Sequence, residues 1–139
     1  MIVELRCATL PFIGAVAEHY WFVVSDESSG ECERWEVWQT ANAGGESFGH
    51  VHCDLKHPDA GVGGGPARIV TEWRGEPAAR IAGVLKSIEE HYPYQDRYLP
   101  WPGPNSNTFV AWVLRKAQID FPLSWKAIGK DFDSGNGYA

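Results

Sequence analysis

The sequence predicts an α+β fold: an antiparallel sheet packed against helices. Three observations carry this. Segments rich in aromatic and β-branched residues fall in the first half of the chain. Helical periodicity is confined to the second half. Strands grouped before helices, rather than alternating with them, point away from a parallel α/β sheet.

The elements follow in order. Ile2 to Ala8 is short and apolar-rich, as a strand is. His19 to Val24 reads His-Tyr-Trp-Phe-Val-Val, which suits a pleated, half-buried surface. The polar Ser25–Gly30 turn then leads into a strand from Glu33 to Thr40, so the two form a hairpin. Alternation puts Trp35 and Val37 on one face of that strand and Glu36 and Trp38 on the other. Phe48 to Leu55 and Ala67 to Trp73 are two further strands, separated by a Gly-rich loop at Gly61–Pro66. From Glu76 to Glu90, Ile81, Leu85 and Ile88 recur at helical spacing, and Pro77 suits a first turn. A second helix runs from about Asn105 to Gln118, with Phe109, Trp112, Val113 and Lys116 on one face. Pro122 bars its continuation.

A chain of 139 residues favours one domain, here expected over 1–131 with a flexible tail at 132–139. Twelve basic against 18 acidic residues leave a formal charge of −6. That argues against nucleic acid or an anionic membrane surface as partner, since both need positive charge. Three cysteines without a Cys-x-x-Cys pair fit a reducing compartment, so a cytoplasmic location is expected. The weakly polar run Cys7–Ala17 is too short to span a bilayer. Seven tryptophans are many for this length and suit either a packed core or an aromatic cleft.

The most informative segment is Trp101-Pro-Gly-Pro-Asn-Ser-Asn-Thr-Phe109. Two prolines and a glycine force a turn, and Asn105, Ser106 and Asn107 then stand at a helix entrance. Short polar side chains there cap free N–H groups. A helix start also favours negative charge and can receive an oxyanion. A serine in that slot needs an adjacent base to act as nucleophile. His19, at the start of its strand, is the candidate base. Folding the hairpin brings it opposite about Trp38 to Thr40, so Gln39 is expected to orient the imidazole, with Glu36 as second choice.

Asn105-Ser-Asn-Thr-Phe109 resembles the Asn-Cys-Asn-x-Phe signature of circularly permuted papain-like hydrolases, which include the PPPDE families and relatives of NlpC/P60. Those families place a histidine on an early strand and the nucleophile later, on a helix. That is the order of His19 and Ser106. Serine here stands in the cysteine position. More closely, most of the chain resembles the bacterial DUF3750 family. The matching stretches include Phe48-Gly-His-Val-His52, Glu72-Trp-Arg-Gly75, Trp101 to Val113 and Ala127-Ile-Gly-Lys-Asp131. The resemblance implies a permuted papain-like fold. It leaves two functions open: a module binding a peptide or small molecule after catalysis was lost, or a Ser106/His19 hydrolase of amides or esters.

The connection from His91 to Trp101 carries three tyrosines and leads into the Ser106 turn. Tyr94, Tyr98 and Trp101 are therefore expected to line a ligand cleft with Asn105, Asn107, His50 and His52. His50, His52, Cys53 and His57 lack zinc-ligand spacing. Gly61–Pro66 lacks the ending of a phosphate-binding loop. No metal and no cofactor is expected.

Overall fold

The computed structural model describes residues 1–11 and 17–132. Six strands form one antiparallel sheet: β1 (Ile2–Thr9), β2 (Glu18–Ser25), β3 (Cys32–Val37), β4 (Glu46–Phe48), β5 (Val51–Cys53) and β6 (Arg68–Arg74). Their order across the sheet is β4-β5-β3-β2-β1-β6. Helices α1 (Gly75–Lys86), α2 (Ile88–His91) and α3 (Ser106–Lys116) follow. The α+β class with strands before helices is as the sequence predicts.

The helices cover one face of the sheet. Val3, Leu5, Cys7, Tyr20, Phe22, Trp35, Val37 and Val51 project toward them and meet Ile81, Leu85, Phe109, Val110 and Val113 in one buried cluster. The alternation read in β3 holds, with Trp35 and Val37 in this core. The opposite face carries Ala8, Trp21 and Val23, closed by Val62. Within that second layer lie Arg34, Glu36, His19 and His52, all fully or almost fully buried.

Two expected elements are interrupted. Phe48–Leu55 does not form one strand. Gly49 turns at φ 64° and splits it into the hairpin β4–β5, and a Cβ there would lie 2.2 Å from the Gln95 carbonyl oxygen. The helix expected through Glu90 breaks at Ser87, whose hydroxyl bonds back to the Val84 and Gly83 carbonyls. Of the weakly polar run Cys7–Ala17, residues 12–16 lie outside the described residues, as do 133–139 of the expected tail. Phe132 is ordered against Tyr94, with ring centroids 5.5 Å apart.

The start of β2 is held in an unusual way. The β2–β3 ladder pairs Phe22–Ser25 with Cys32–Trp35. Ahead of it, the Asn107 carboxamide takes the place of a neighbouring strand. Its Nδ2 donates to Glu18 O at 2.7 Å and its Oδ1 accepts from Tyr20 N at 3.2 Å. Glu18 N donates in turn to Lys126 O at 2.9 Å. The entrance of α3 is thereby sewn to the two residues flanking His19. Asn107→Asp keeps the acceptor and removes both donor bonds, to Glu18 O and Ile128 O. Urea unfolding should show a loss of at least about 2 kcal/mol, because two carbonyls then face a buried carboxylate. A loss below about 0.5 kcal/mol would mean that this seam does not hold the sheet.

Candidate functional site

The entrance of α3 is built on a reciprocal cap. Asn105, in extended conformation, is the N-cap residue. Its Oδ1 accepts from Asn107 N at 3.0 Å and Thr108 N at 3.2 Å, while its own N–H donates to Thr108 Oγ1 at 3.1 Å. Asn105 Nδ2 donates to Pro100 O at 3.0 Å. Thr108 Oγ1 donates to Gly129 O at 2.7 Å and Asn107 Nδ2 to Ile128 O at 3.0 Å. Gly129, at φ 98°, packs so closely that a Cβ would lie 2.3 Å from the Asn105 carboxamide. The asparagines expected to bind ligand are thus engaged in joining α3 to β2 and to the 127–130 turn.

Ser106 occupies the first helical position and is 7% exposed. Its hydroxyl makes no hydrogen bond among the described residues, to His19 or to any other group. The N–H groups that follow it are committed to Asn105, which reduces the set of donors an oxyanion could use.

His19 is almost wholly buried on the sheet face away from the helical core, because β2 alternates and its neighbour Tyr20 points into that core. The imidazole stacks on Trp21 at 5.4 Å and meets Trp38 edge-on at 5.4 Å. Its Nε2 lies 2.8 Å from Glu36 Oε1. Glu36, not Gln39, is therefore the group that orients the ring. β3 ends at Val37, which leaves Gln39 exposed in the following turn. Extending the β2–β3 register puts Trp38 opposite His19, and Glu36 is its diagonal neighbour on the same face.

Glu36 is itself paired. Arg34 Nε lies 2.7 Å from Glu36 Oε2, and Arg34 Nη2 donates to Oε1 at 2.9 Å. Arg34 Nη1 donates to the carbonyls of His57 and Ala60 at 2.8 and 2.7 Å. The guanidinium sits 3.9 Å over the Trp21 ring. Burial pushes the His19 pKa down, against the upward pull of Glu36. Burial also opposes ionisation of Glu36, but the bonds and charges of His19 and Arg34 prevail and hold its pKa below the usual range. The consistent state is a neutral His19 donating from Nε2 to an ionised Glu36, which Arg34 neutralises.

The two other candidate histidines serve the 38–40 turn. His50 Nδ1 lies 2.9 Å from Trp38 O, and the ring stacks on Tyr98 at 5.5 Å. His52 Nε2 donates to Thr40 O at 2.8 Å, and Nδ1 faces Ser47 Oγ at 2.7 Å. Among the described residues no group of three His, Cys, Asp or Glu side chains is placed to hold a metal ion. Burial pushes the Cys7 and Cys53 thiols up, to about 11 and about 12, so neither supplies a thiolate.

An open groove adjoins the capped helix entrance. It encloses about 280 Å³ and is lined by Trp101, Pro102, Trp125 and the 127–132 turn. Trp101 is 73% and Trp125 65% exposed. Tyr94 and Tyr98 are half-buried and pack onto the core instead of lining this space. Sequence reasoning missed Trp125 and Phe132. The signal was present in the Ala127–Asp131 stretch, which has no helical or strand period but supplies the floor.

These residues belong to a known family unit. The chain matches, over residues 1–132, the family described as protein of unknown function (DUF3750). It is a member of the DUF3750 family. No curated protein and no solved structure matches the chain. Among the described residues no helix is long and apolar enough to cross a membrane.

The buried DUF3750 histidine makes acid stability a direct readout. A group whose folded pKa lies below its unfolded value costs stability once the unfolded chain takes up its proton. Stability should therefore be full above pH 7 and fall as the pH drops below about 6.5. Glu36, also lowered, extends the loss below its ordinary range near 4.3. His19→Gln keeps a donor toward Glu36 and removes the titration. Its unfolding free energy should fall less steeply between pH 6.5 and 5 than that of the wild type, the difference reaching at most about 1.4 kcal/mol per pH unit. Parallel curves for the two proteins would show His19 to be protonated in the fold.

Proposed function

We propose that this DUF3750 protein is a binding module, with a peptide or similar extended ligand seated in the groove between Trp101 and Trp125. The observation that carries the reading is that pair of large exposed rings on a concave, mainly apolar surface beside the α3 entrance. Rigid aromatic side chains supply much contact area at little entropic cost. The carboxamides of Asn105 and Asn107 and the Thr108 hydroxyl at the helix entrance are already satisfied by the fold. His19 is occupied by Glu36 and turned to the other face of the sheet.

The permuted papain-like architecture belongs to this proposal. It is supported by the chain order, with His19 on an early strand and Ser106 opening a later helix. Replacement of a thiol by a hydroxyl in that slot removes the group whose ionisation a helix start promotes.

One observation favours a second reading, a Ser106/His19 hydrolase. Asn107 ties the residue next to Ser106 to the backbone on both sides of His19. In that reaction Ser106 Oγ would attack an amide or ester carbonyl and pass its proton to His19 Nδ1. The proton would then go to the leaving amine or alcohol, and water would release the acyl group by the same route in reverse.

Two measurements separate the readings. A blocked pentapeptide with a central phenylalanine flanked by glutamines is titrated into the ¹⁵N-labelled protein. The indole N–H signals of Trp101 and Trp125 should shift, and alanine at either position should weaken binding by about fivefold or more. Both rings are exposed, so these variants should melt like the wild type. Indole signals that stay in place would refute the groove reading. Labelling of Ser106 by a fluorophosphonate probe, absent in Ser106→Ala, would instead establish the hydrolase.

A further inference from the structure

The groove has a charge that the rest of the chain does not. The protein as a whole carries −6. Beside the groove, among the described residues, the unpaired charges are positive. The Lys126 ammonium lies 5.7 Å from the Trp125 ring centroid. The Arg97 guanidinium lies 5.5 Å from the centroid of Phe132, which also lines the groove. Neither cation makes a salt bridge among the described residues. Lys130, a lining residue, is matched by Asp131, whose two carboxylate oxygens each lie 3.0 Å from its ammonium. Among the described residues, Lys130 and Asp131 of the lining cancel, and Lys126 and Arg97 beside it leave 3 − 1 = +2.

We infer that the ligand of this groove is an acidic peptide segment, with one aromatic or large aliphatic side chain between Trp101 and Trp125 and carboxylates reaching Lys126 and Arg97. This rests on the groove being the binding site and adds the chemical class of what it binds. The size agrees: a space of about 280 Å³ takes one or two side chains of an extended chain, not a folded domain. The electrostatics agree as well. A cation poised over an aromatic ring is partly stripped of water and retains its charge for a partner. An acidic protein repels an anionic ligand from the rest of its surface, so a local positive rim steers such a ligand to this place.

Four blocked pentapeptides test this by calorimetry and by the indole signals of Trp101 and Trp125. Three have a central phenylalanine flanked by glutamates, glutamines or lysines, and one has a central alanine flanked by glutamates. The glutamate–phenylalanine peptide should bind most tightly, about tenfold better than the lysine peptide, and should weaken as salt rises from about 50 to 300 mM. The alanine peptide should bind poorly. Lys126→Glu and Arg97→Glu should each reduce or reverse the preference while leaving the melting temperature in place, since Arg97 is exposed, Lys126 is half-exposed and neither makes a salt bridge among the described residues. Equal affinity for the glutamate and lysine peptides, with both tryptophan signals shifting, would overturn the acidic ligand and leave the groove standing. Absence of any shift at Trp101 and Trp125 with all four peptides would overturn the groove itself.

Discussion

One side chain decides where everything else can stand. Asn107 presents a donor and an acceptor with the spacing of a peptide group, and β2 accepts them as it would a neighbouring strand. A sheet edge left open at Glu18–Tyr20 would carry unpaired backbone groups in a buried place, which costs about 1–3 kcal/mol for each group. The carboxamide removes that cost and at the same time fixes the first turn of α3. Because Asn105 and Thr108 close the same turn and the 127–130 segment bonds to it, helix entrance, sheet edge and groove floor form one polar unit. The proposed ligand would therefore rest on a base held by backbone and side-chain hydrogen bonds.

The Arg34–Glu36–His19 chain imposes a second constraint. Removing an ion pair from water is expensive, and the attraction regained inside repays it only when the remaining polar atoms are satisfied. Here most are: Arg34 also binds two carbonyls and covers Trp21, while Arg34 Nε and Glu36 Oε2 make no hydrogen bond and face each other as an ion pair at 2.7 Å. The cluster closes the sheet face that the helices do not cover, and it does so by polar bonding where the main core uses apolar packing. Its effect on chemistry is conservative. A general base must take up a proton during attack, and a positive Arg34 beside Glu36 weakens the help that carboxylate gives to an imidazolium. The same residues that suggest a triad thus also explain why His19 is better suited to hold the sheet than to activate a hydroxyl.

Much of this architecture was legible in the residues. The strand-then-helix order, the hairpin from His19 to Glu33, the two faces of β3 and the cap at Asn105 all follow from local period and local chemistry. What could not be read was set by distant chain. Glu36 ranked second to Gln39 because nothing local announces that the carbonyls of His57 and Ala60 would hold Arg34 over Trp21, beside Glu36. Gln39 looked better placed only if β3 ran to Thr40, and β3 stops at Val37 once Trp38 N turns to bond His50 O. The break at Gly49 needed the approach of Gln95. Trp125 and Phe132 join the site through backbone bonds from a turn without periodicity, which pattern reading does not see.

Exposure of two tryptophans also needs its own account. A ring that is about two-thirds in water gains little from folding, so neither Trp101 nor Trp125 is there for stability. Trp101 could have packed inward as Tyr92 does against Phe109 and Trp112. Instead the double-proline turn holds it outward beside a floor made of Ala127 and Ile128. On an acidic protein the cheapest way to keep such a patch from self-association is charge around it, yet the lining carries one acid against one base, and the charges flanking it among the described residues, Lys126 and Arg97, are positive. A rim chosen for solubility alone would match the sign of the whole molecule, because like charges repel a second copy. A rim of opposite sign is what recognition of an anionic partner requires.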